Sequence, residues 1–324
     1  MGDVAMTAPI VEAACRANPD VKFDFLSVPF HQPFFPSLPN LNFIGTNIRK
    51  EKNGLSALWK LFRQLKKNDY DLVLDLHNVL RTKVIRNLFS LSGVPSFKIN
   101  KGRREKKLLT SGKSHEQLRP MTQRYADVFR AAGLSLPNSR IVRPAEPLPP
   151  QCSVSKADGE LWIGVSPFAQ HKGKMYPADR MRKVLKLLSA NPNVRIFVFG
   201  GGESEKNQAN LLIEGLDNCH NVIGLMKLAD EMALMSNLDV MLSMDSSAMH
   251  LCSLYGVRVV SIWGATHPFA GFLGYHQDSA DVVQRDDLDC RPCSVFGNKP
   301  CRFNDYRCFD IDPSVVVNRI LASL

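Results

Sequence analysis

The residue types best suited to chemistry stand in "LDVMLSMDSSAMHLCSLYG" (238–256). An apolar, strand-like run ends at Met244. Asp245, Ser246 and Ser247 form the turn into a helix, and His250 lies one turn in. Unsatisfied N–H groups at a helix N-terminus suit a phosphate or another anion. A carboxylate there either caps the helix or accepts hydrogen bonds from sugar or ribose hydroxyls. A lone Asp-Ser turn is more often a simple cap, and a lone histidine more often a packed one. The plain cap reading weakens here because a second strand-like run ends close by, in "GATHP" (264–268), whereas the plain reading of His250 taken alone stands.

Two further strand ends carry polar groups. In "SPFAQHKGKMYPADRM" (166–181), Ser166 closes a strand, and Lys172 and Lys174 precede a helix. A lysine so placed can neutralise a diphosphate as a point charge, and a solvated basic loop is the plain alternative. In "FGGGESEKNQ" (199–208), three glycines permit close backbone approach, and Glu203 or Glu205 can accept from ribose hydroxyls. The stretch is not G-x-G-x-x-G, so a dinucleotide fingerprint is not supported, and there is no Walker lysine motif.

The third grouping is "CRPCSVFGNKPCRFNDYRC" (290–308), which holds four of the eight cysteines. Four thiolates from Cys290, Cys293, Cys301 and Cys308 could complete a tetrahedral structural zinc. The second pair is spaced more widely than in standard zinc ribbons, so reduced thiols packing a loop, or disulfides, stay open as readings.

The elements that must position these groups alternate along the chain. In the first half, strand-like runs at 21–28, 70–77 and 96–100 alternate with helical patterns at 54–68, 79–93 and 115–133. A proline-rich stretch with little periodicity follows. A second alternation then runs from "LWIGVSPF" to "VRVVSIWG", and the chain closes on a helix with Asp312 as N-cap and Pro313 at its first position. The expected division is an N-terminal domain at 1–143, a linker at 144–159, a C-terminal domain at 160–310 and a final helix at 311–324 that returns to the N-terminal domain. Two β-α-β series imply an α/β chain of two Rossmann-like parallel-sheet domains facing across a cleft, with ligands beyond the carboxyl ends of the strands. At 324 residues with 44% hydrophobic content, the chain can form such cores. No apolar run approaches a membrane span and no secretory signal is visible, so the expected location is cytoplasmic. The net charge of +10 favours an anionic partner, whether nucleic acid, a phosphorylated substrate or an anionic membrane surface.

"SMDSSAMHLCSLYGVRVVSIWGATHP" resembles the S-x-D-[ST]-[GS]-x-x-H stretch of glycosyltransferase family 9 and the G-V-P-V-V-x-x-[FW]-G-x-T-x-P stretch that follows it. These are the ADP-heptose:lipopolysaccharide heptosyltransferases and their relatives. "GDVAMTAPIVEAACRANPDV" is similar to the family's Gly-Asp opening, and "KMYP" to its K-x-[WY]-P. Departures are Arg258, where proline is usual, and Ser247, where glycine is commoner. The resemblance implies the GT-B architecture and a single displacement that inverts the anomeric carbon and requires no metal cofactor. It implies Asp3 as catalytic base, acting on an acceptor hydroxyl. It also implies donor binding by Ser166, Lys174, Glu203, Glu205, Asp245, Ser246, Ser247 and His250. Lys174 is preferred to Lys172 because it stands in the K-x-[WY]-P spacing. The implied partners are a nucleotide sugar, ADP-heptose first, and an anionic lipid-linked saccharide acceptor at the inner face of the inner membrane.

In that setting Lys101, Arg103, Arg104, Lys106 and Lys107, within the basic stretch 97–120, become an acceptor or membrane contact. Each basic residue near an anionic surface contributes about 1 kcal/mol. A charge run is more often a solvated loop. A different GT-B transferase or epimerase using another nucleotide sugar is the nearest rival. A nucleic-acid-binding module ranks low, since no aromatics interleave the basic run and no reader motif is present. Relatives carry an apolar strand before the Gly-Asp turn. Its absence here predicts a gap or a rearranged centre in the N-terminal sheet, with Met1 an internal methionine and an apolar strand encoded upstream.

Overall fold

The computed structural model describes residues 1–47, 54–150, 152 and 155–322. Contacts divide the chain into two units. The first comprises Asp3–Lys101 and Arg119–Ile141, and the second comprises Gly102–Leu118 and the chain from Val142 onward.

The first unit contains α1 (Gly2–Ala17), β1 (Phe23–Ser27), β2 (Leu41–Gly45), α2 (Gly54–Leu65), β3 (Val73–Asp75), α3 (Leu80–Leu91), β4 (Ser96–Lys98) and α5 (Met121–Ala131). β1 pairs with β2 and β3 with β4, each pair parallel, as two separate two-stranded sheets. Among the described residues no strand joins them, so the expected gap at the centre of this sheet is present. Gly2 and Asp3 lie in the first turn of α1, not in a turn after a strand. α1 is buried from Ala5 to Cys15, as a helix without a polar face must be. One apolar core spans both sheets. Leu58, Leu61, Phe62 and Leu65 of α2 and Ile85 and Phe89 of α3 pack against Leu26 and Ile44 on one side and Val73 on the other. The Phe62 and Phe89 rings meet edge-on with centroids 5.0 Å apart, a geometry that favours the aromatic quadrupoles.

The second unit is built on a six-stranded parallel sheet of β5 (Leu161–Ser166), β6 (Val194–Val198), β7 (Cys219–Asn221), β8 (Val240–Met244), β9 (Arg258–Trp263) and β10 (Val282–Gln284), in the order β10-β9-β8-β5-β6-β7. Helices α6 (Ala178–Ser189), α7 (Gly202–Ile213), α8 (Leu228–Ser236), α9 (Ser247–Leu254) and α10 (Pro313–Leu321) accompany it. All five residues of β8 are buried, as expected of a strand covered on both faces. α6 buries Met181, Val184, Leu185 and Leu188, a 3.6-period stripe. Strand order reverses between β5 and β8, which are neighbours in the sheet, and this is the switch point where open α/β sheets bind ligands.

Three segments differ from the sequence expectation. The basic stretch forms a further helix, α4 (Arg103–Thr110), and it belongs to the second unit, within what was expected to be an N-terminal domain of 1–143. The proline-rich stretch at its start is laced onto the second unit. Arg143 N–H donates to the Leu254 carbonyl (3.0 Å), Glu146 N–H to the Ser236 hydroxyl (2.8 Å) and the Tyr255 hydroxyl to the Glu146 carboxylate (2.5 Å). The final helix, expected on the N-terminal domain, belongs to the second unit. α10 packs on α6, β9 and β10, with Val316, Val317 and Ile320 in the core of the second unit. Its start is as expected, with Asp312 accepting from Ser314 N–H at 2.8 Å and Pro313 at the first helical position.

Candidate active site

The polar groups converge at the switch point of the second unit. Ser166 ends β5 and lies in register with Ser243 of β8, so two hydroxyls stand side by side at adjacent strand ends. Asp245 follows β8, is buried, and pairs with Lys174 Nζ at 2.9 Å. Lys174 comes from a short 3-10 turn (Lys172–Lys174) between β5 and α6. Ser246 is the N-cap residue of α9 but makes no side-chain cap hydrogen bond. Its hydroxyl turns back to Ser243 Oγ at 3.1 Å. The first N–H groups of α9 therefore have no side-chain cap, an arrangement that favours an anion in their line. Ser247 opens α9 and His250 is buried one turn further.

The remaining expected donor residues lie at the end of β6. Glu205 accepts from Gly201 N–H at 2.7 Å and so holds the glycine loop at the start of α7, whereas Glu203 is exposed. Lys172 is engaged elsewhere, with its ammonium 5.0 Å from the Tyr306 ring centroid. Tyr176 of "KMYP" is buried and its hydroxyl donates to the Ile311 carbonyl at 2.5 Å. Burial pushes that phenol up to about 12, so it stays a donor. His267, after β9, is pushed down to about 4 by burial and then by the nearby Arg291 charge. Its neutral Nδ1 accepts from Phe269 N–H at 3.1 Å.

Sequence reasoning missed what holds these loops together. Ala265, after β9, donates its N–H to the Gly173 carbonyl (2.8 Å) and accepts from Cys293 N–H (2.9 Å). The buried guanidinium of Arg291 donates to the carbonyls of Trp263 (2.9 Å), Gly264 (2.5 Å), Thr266 (2.9 Å) and Arg285 (2.6 Å). Gly297 adopts φ +69°, and a Cβ there would lie 2.7 Å from Lys174 Cγ. The cysteine-bearing segment is thus a buttress behind Lys174. The one signal for it was an arginine inside C-x2-C, which reads equally well as a solvated charge.

The four thiols lie within electrostatic range of one another, but none is posed as a metal ligand. Cys293 Sγ donates to the Cys290 carbonyl (3.2 Å), Cys301 Sγ faces Asp305 Oδ1 (3.8 Å), and Cys308 is buried in the apolar core beside Phe309. Among the described residues no three His, Cys, Asp or Glu side chains are placed to hold a metal ion. Burial pushes Cys308 up to about 11 and raises Cys293, so both remain thiols. For Cys301, burial acts upward but backbone N–H groups of Phe303, Asn304, Asp305 and Tyr306 outweigh it and hold the thiol below its ordinary value.

In the first unit, Asp3 is half-exposed in the first turn of α1, with Oδ2 3.9 Å from His77 Nε2. His77 was also missed. It follows β3 in a turn built by buried Asp75, which accepts from the N–H groups of His77 (3.1 Å) and Asn78 (2.6 Å) and from Arg86 (3.0 Å). An accessible carboxylate with an imidazole beside it can take a proton from a hydroxyl. Of the basic run, Arg103, Arg104 and Lys107 are exposed and Lys101 is half-buried. Lys106 is buried, with Nζ 4.2 Å from the Phe272 ring centroid, so it is no part of a surface contact.

A doubly wound sheet with anion-binding groups at its switch point is the donor-binding half expected of a GT-B transferase. A sequence model of glycosyltransferase family 9 (heptosyltransferase) matches residues 58–305, so the chain belongs to that family and is a glycosyltransferase. It is 24% identical to lipooligosaccharide heptosyltransferase 2 of Campylobacter jejuni over 98% of this chain and 94% of that one. Among solved structures it is similar to the glycosyl transferase family 9 protein of Veillonella parvula, at TM-score 0.75 and 17% identity over 99% of this chain and 93% of that one. It is also similar to E. coli heptosyltransferase WaaC with ADP, at TM-score 0.69 and 19% identity over 100% and 97% of the two chains. The GT-B fold expected from the sequence is the fold observed.

Proposed function

We propose that the chain moves a heptose from ADP-heptose to an anionic, lipid-linked saccharide of the lipopolysaccharide core, on the cytoplasmic face of the inner membrane. The observation that carries this reading is the Lys174–Asp245 pair beside the uncapped start of α9 at the switch point. When a nucleotide diphosphate leaves, negative charge develops on its oxygens. Lys174 and the α9 N–H groups supply positive potential there without a metal cofactor. Asp245 and Ser246 then accept from and donate to the sugar or ribose, and Glu203 serves at the glycine loop. Support for ADP as the nucleotide is the ADP in the similar WaaC structure, and support for the acceptor is the name of the Campylobacter relative.

Asp3 takes the proton of the acceptor hydroxyl as its oxygen forms the new bond to the anomeric carbon and the bond to the diphosphate breaks. Attack from the face opposite the leaving group inverts that carbon. His77 Nε2 lies 3.9 Å from the Asp3 carboxylate, within ion-pair range and beyond hydrogen-bond reach. Nucleic acid is not the anionic partner on this reading. Asp3→Asn should lower turnover by about two to four orders of magnitude while the thermal stabilisation by ADP stays unchanged. Unchanged turnover would remove Asp3 from the reaction.

A further inference from the structure

We propose that the outer face of α2 is a docking surface for an anionic lipid bilayer. Leu55 is 75% exposed and Trp59 52% exposed, one helical turn apart and so on one face. Lys60 and Arg63 are exposed beside them, and Lys66 and Lys67 are exposed in the 3-10 turn that follows. Residues 54–68 contain those four cations and no aspartate or glutamate. α3 is also free of acidic residues. The chain as a whole has 31 acidic residues, so two adjoining helices without one form a local bias. The opposite face of α2 already fills the core through Leu58 and Phe62, so the exposed set is not loosely packed core.

The chemistry of this face selects its partner. An indole with an apolar body and one N–H favours the headgroup boundary of a bilayer. A leucine beside it inserts at the acyl boundary, and cations around them attract anionic headgroups. A protein partner would accept Trp and Leu, but lysine is depleted at protein interfaces, and here lysines supply most of the charge. The inference rests on the proposed lipid-linked acceptor for its purpose, since that acceptor would bring the enzyme to a membrane. The surface lies apart in sequence from the basic run 101–107 first considered for that role.

The chain reports on this surface directly. Of its three tryptophans, Trp162 and Trp263 are fully buried and only Trp59 is exposed. The experiment adds the full chain to unilamellar vesicles of mixed phosphatidylglycerol and phosphatidylethanolamine, or of phosphatidylcholine alone, and follows tryptophan emission and co-sedimentation. The expected result is a blue shift with the anionic vesicles only, lost in high salt. Trp59→Gln and the charge reversal Lys60→Glu/Arg63→Glu should each weaken co-sedimentation at least tenfold, with the melting temperature unchanged. Vesicle binding unaffected by either variant would overturn the proposal, as would the absence of a blue shift. An emission shift that follows protein concentration without lipid would also overturn it and assign the face to a second copy. Stabilisation by ADP is measured in parallel. Its failure beside intact vesicle binding would count against the donor reading and leave the docking surface standing.

Discussion

At the scale of single residues, the candidate donor site is a lysine held in place by a glycine. The strand-end residues Ser166, Asp245 and Ser246 were legible because each follows an apolar run and precedes a helical pattern. The choice of Lys174 over Lys172 came from the resemblance to the family's K-x-[WY]-P, and the structure places Lys174 on Asp245 and Lys172 on the Tyr306 ring. Gly297 was not legible, since its role depends on a contact with a residue 123 positions away in sequence. Gly297→Ala puts a methyl 2.7 Å from Lys174 Cγ at a left-handed φ of +69°. The left-handed backbone costs about 1 kcal/mol, so some stability falls in any case. The informative readout is the donor KM, expected to rise about tenfold, with Lys174→Ala/Gly297→Ala no worse than Lys174→Ala alone. Additive losses in the double variant would show that Gly297 acts elsewhere.

At the scale of elements, the alternation of strands and helices in the second unit was readable because buried parallel strands are continuous apolar runs and their helices carry a 3.6-residue stripe. α4 was not readable as part of the second unit. Its charge pattern says helix or loop, but Lys106 lying over the Phe272 ring is a tertiary fact. Arg258, where relatives usually have proline, has a structural account. Its guanidinium makes two hydrogen bonds to Asp281, at 2.9 and 2.6 Å, and donates to the carbonyls of Arg319 and Ile320 at 2.7 and 2.9 Å. It therefore ties the first residue of β9 to the end of α10 and to the turn before β10. Removing one member of a largely buried, hydrogen-bonded pair costs about 3 kcal/mol. Arg258→Ala should lower the urea midpoint by a corresponding amount with no change in donor KM. A stability equal to the parent's would mean that α10 is held by its apolar face alone.

At the scale of the whole molecule, two sequence patterns were enough to expect two parallel-sheet units, because each series can bury its strands only under its own helices. The gap in the first sheet was expected from the family resemblance alone, not from the pattern of this sequence. The structure shows β1-β2 and β3-β4 as separate pairs joined through the α2 and α3 side chains. The division of labour proposed is a base on the first unit and a sugar nucleotide on the second. The measurement that tests it most directly is a donor screen by mass spectrometry, with ADP-heptose, UDP-sugars and GDP-sugars offered beside a heptose-accepting core lipid. The account predicts a mass increase of one heptose with ADP-heptose only, lost in Asp3→Asn and in Lys174→Ala. Transfer from a UDP- or GDP-sugar in place of ADP-heptose, or heptose transfer that survives Lys174→Ala, would contradict it.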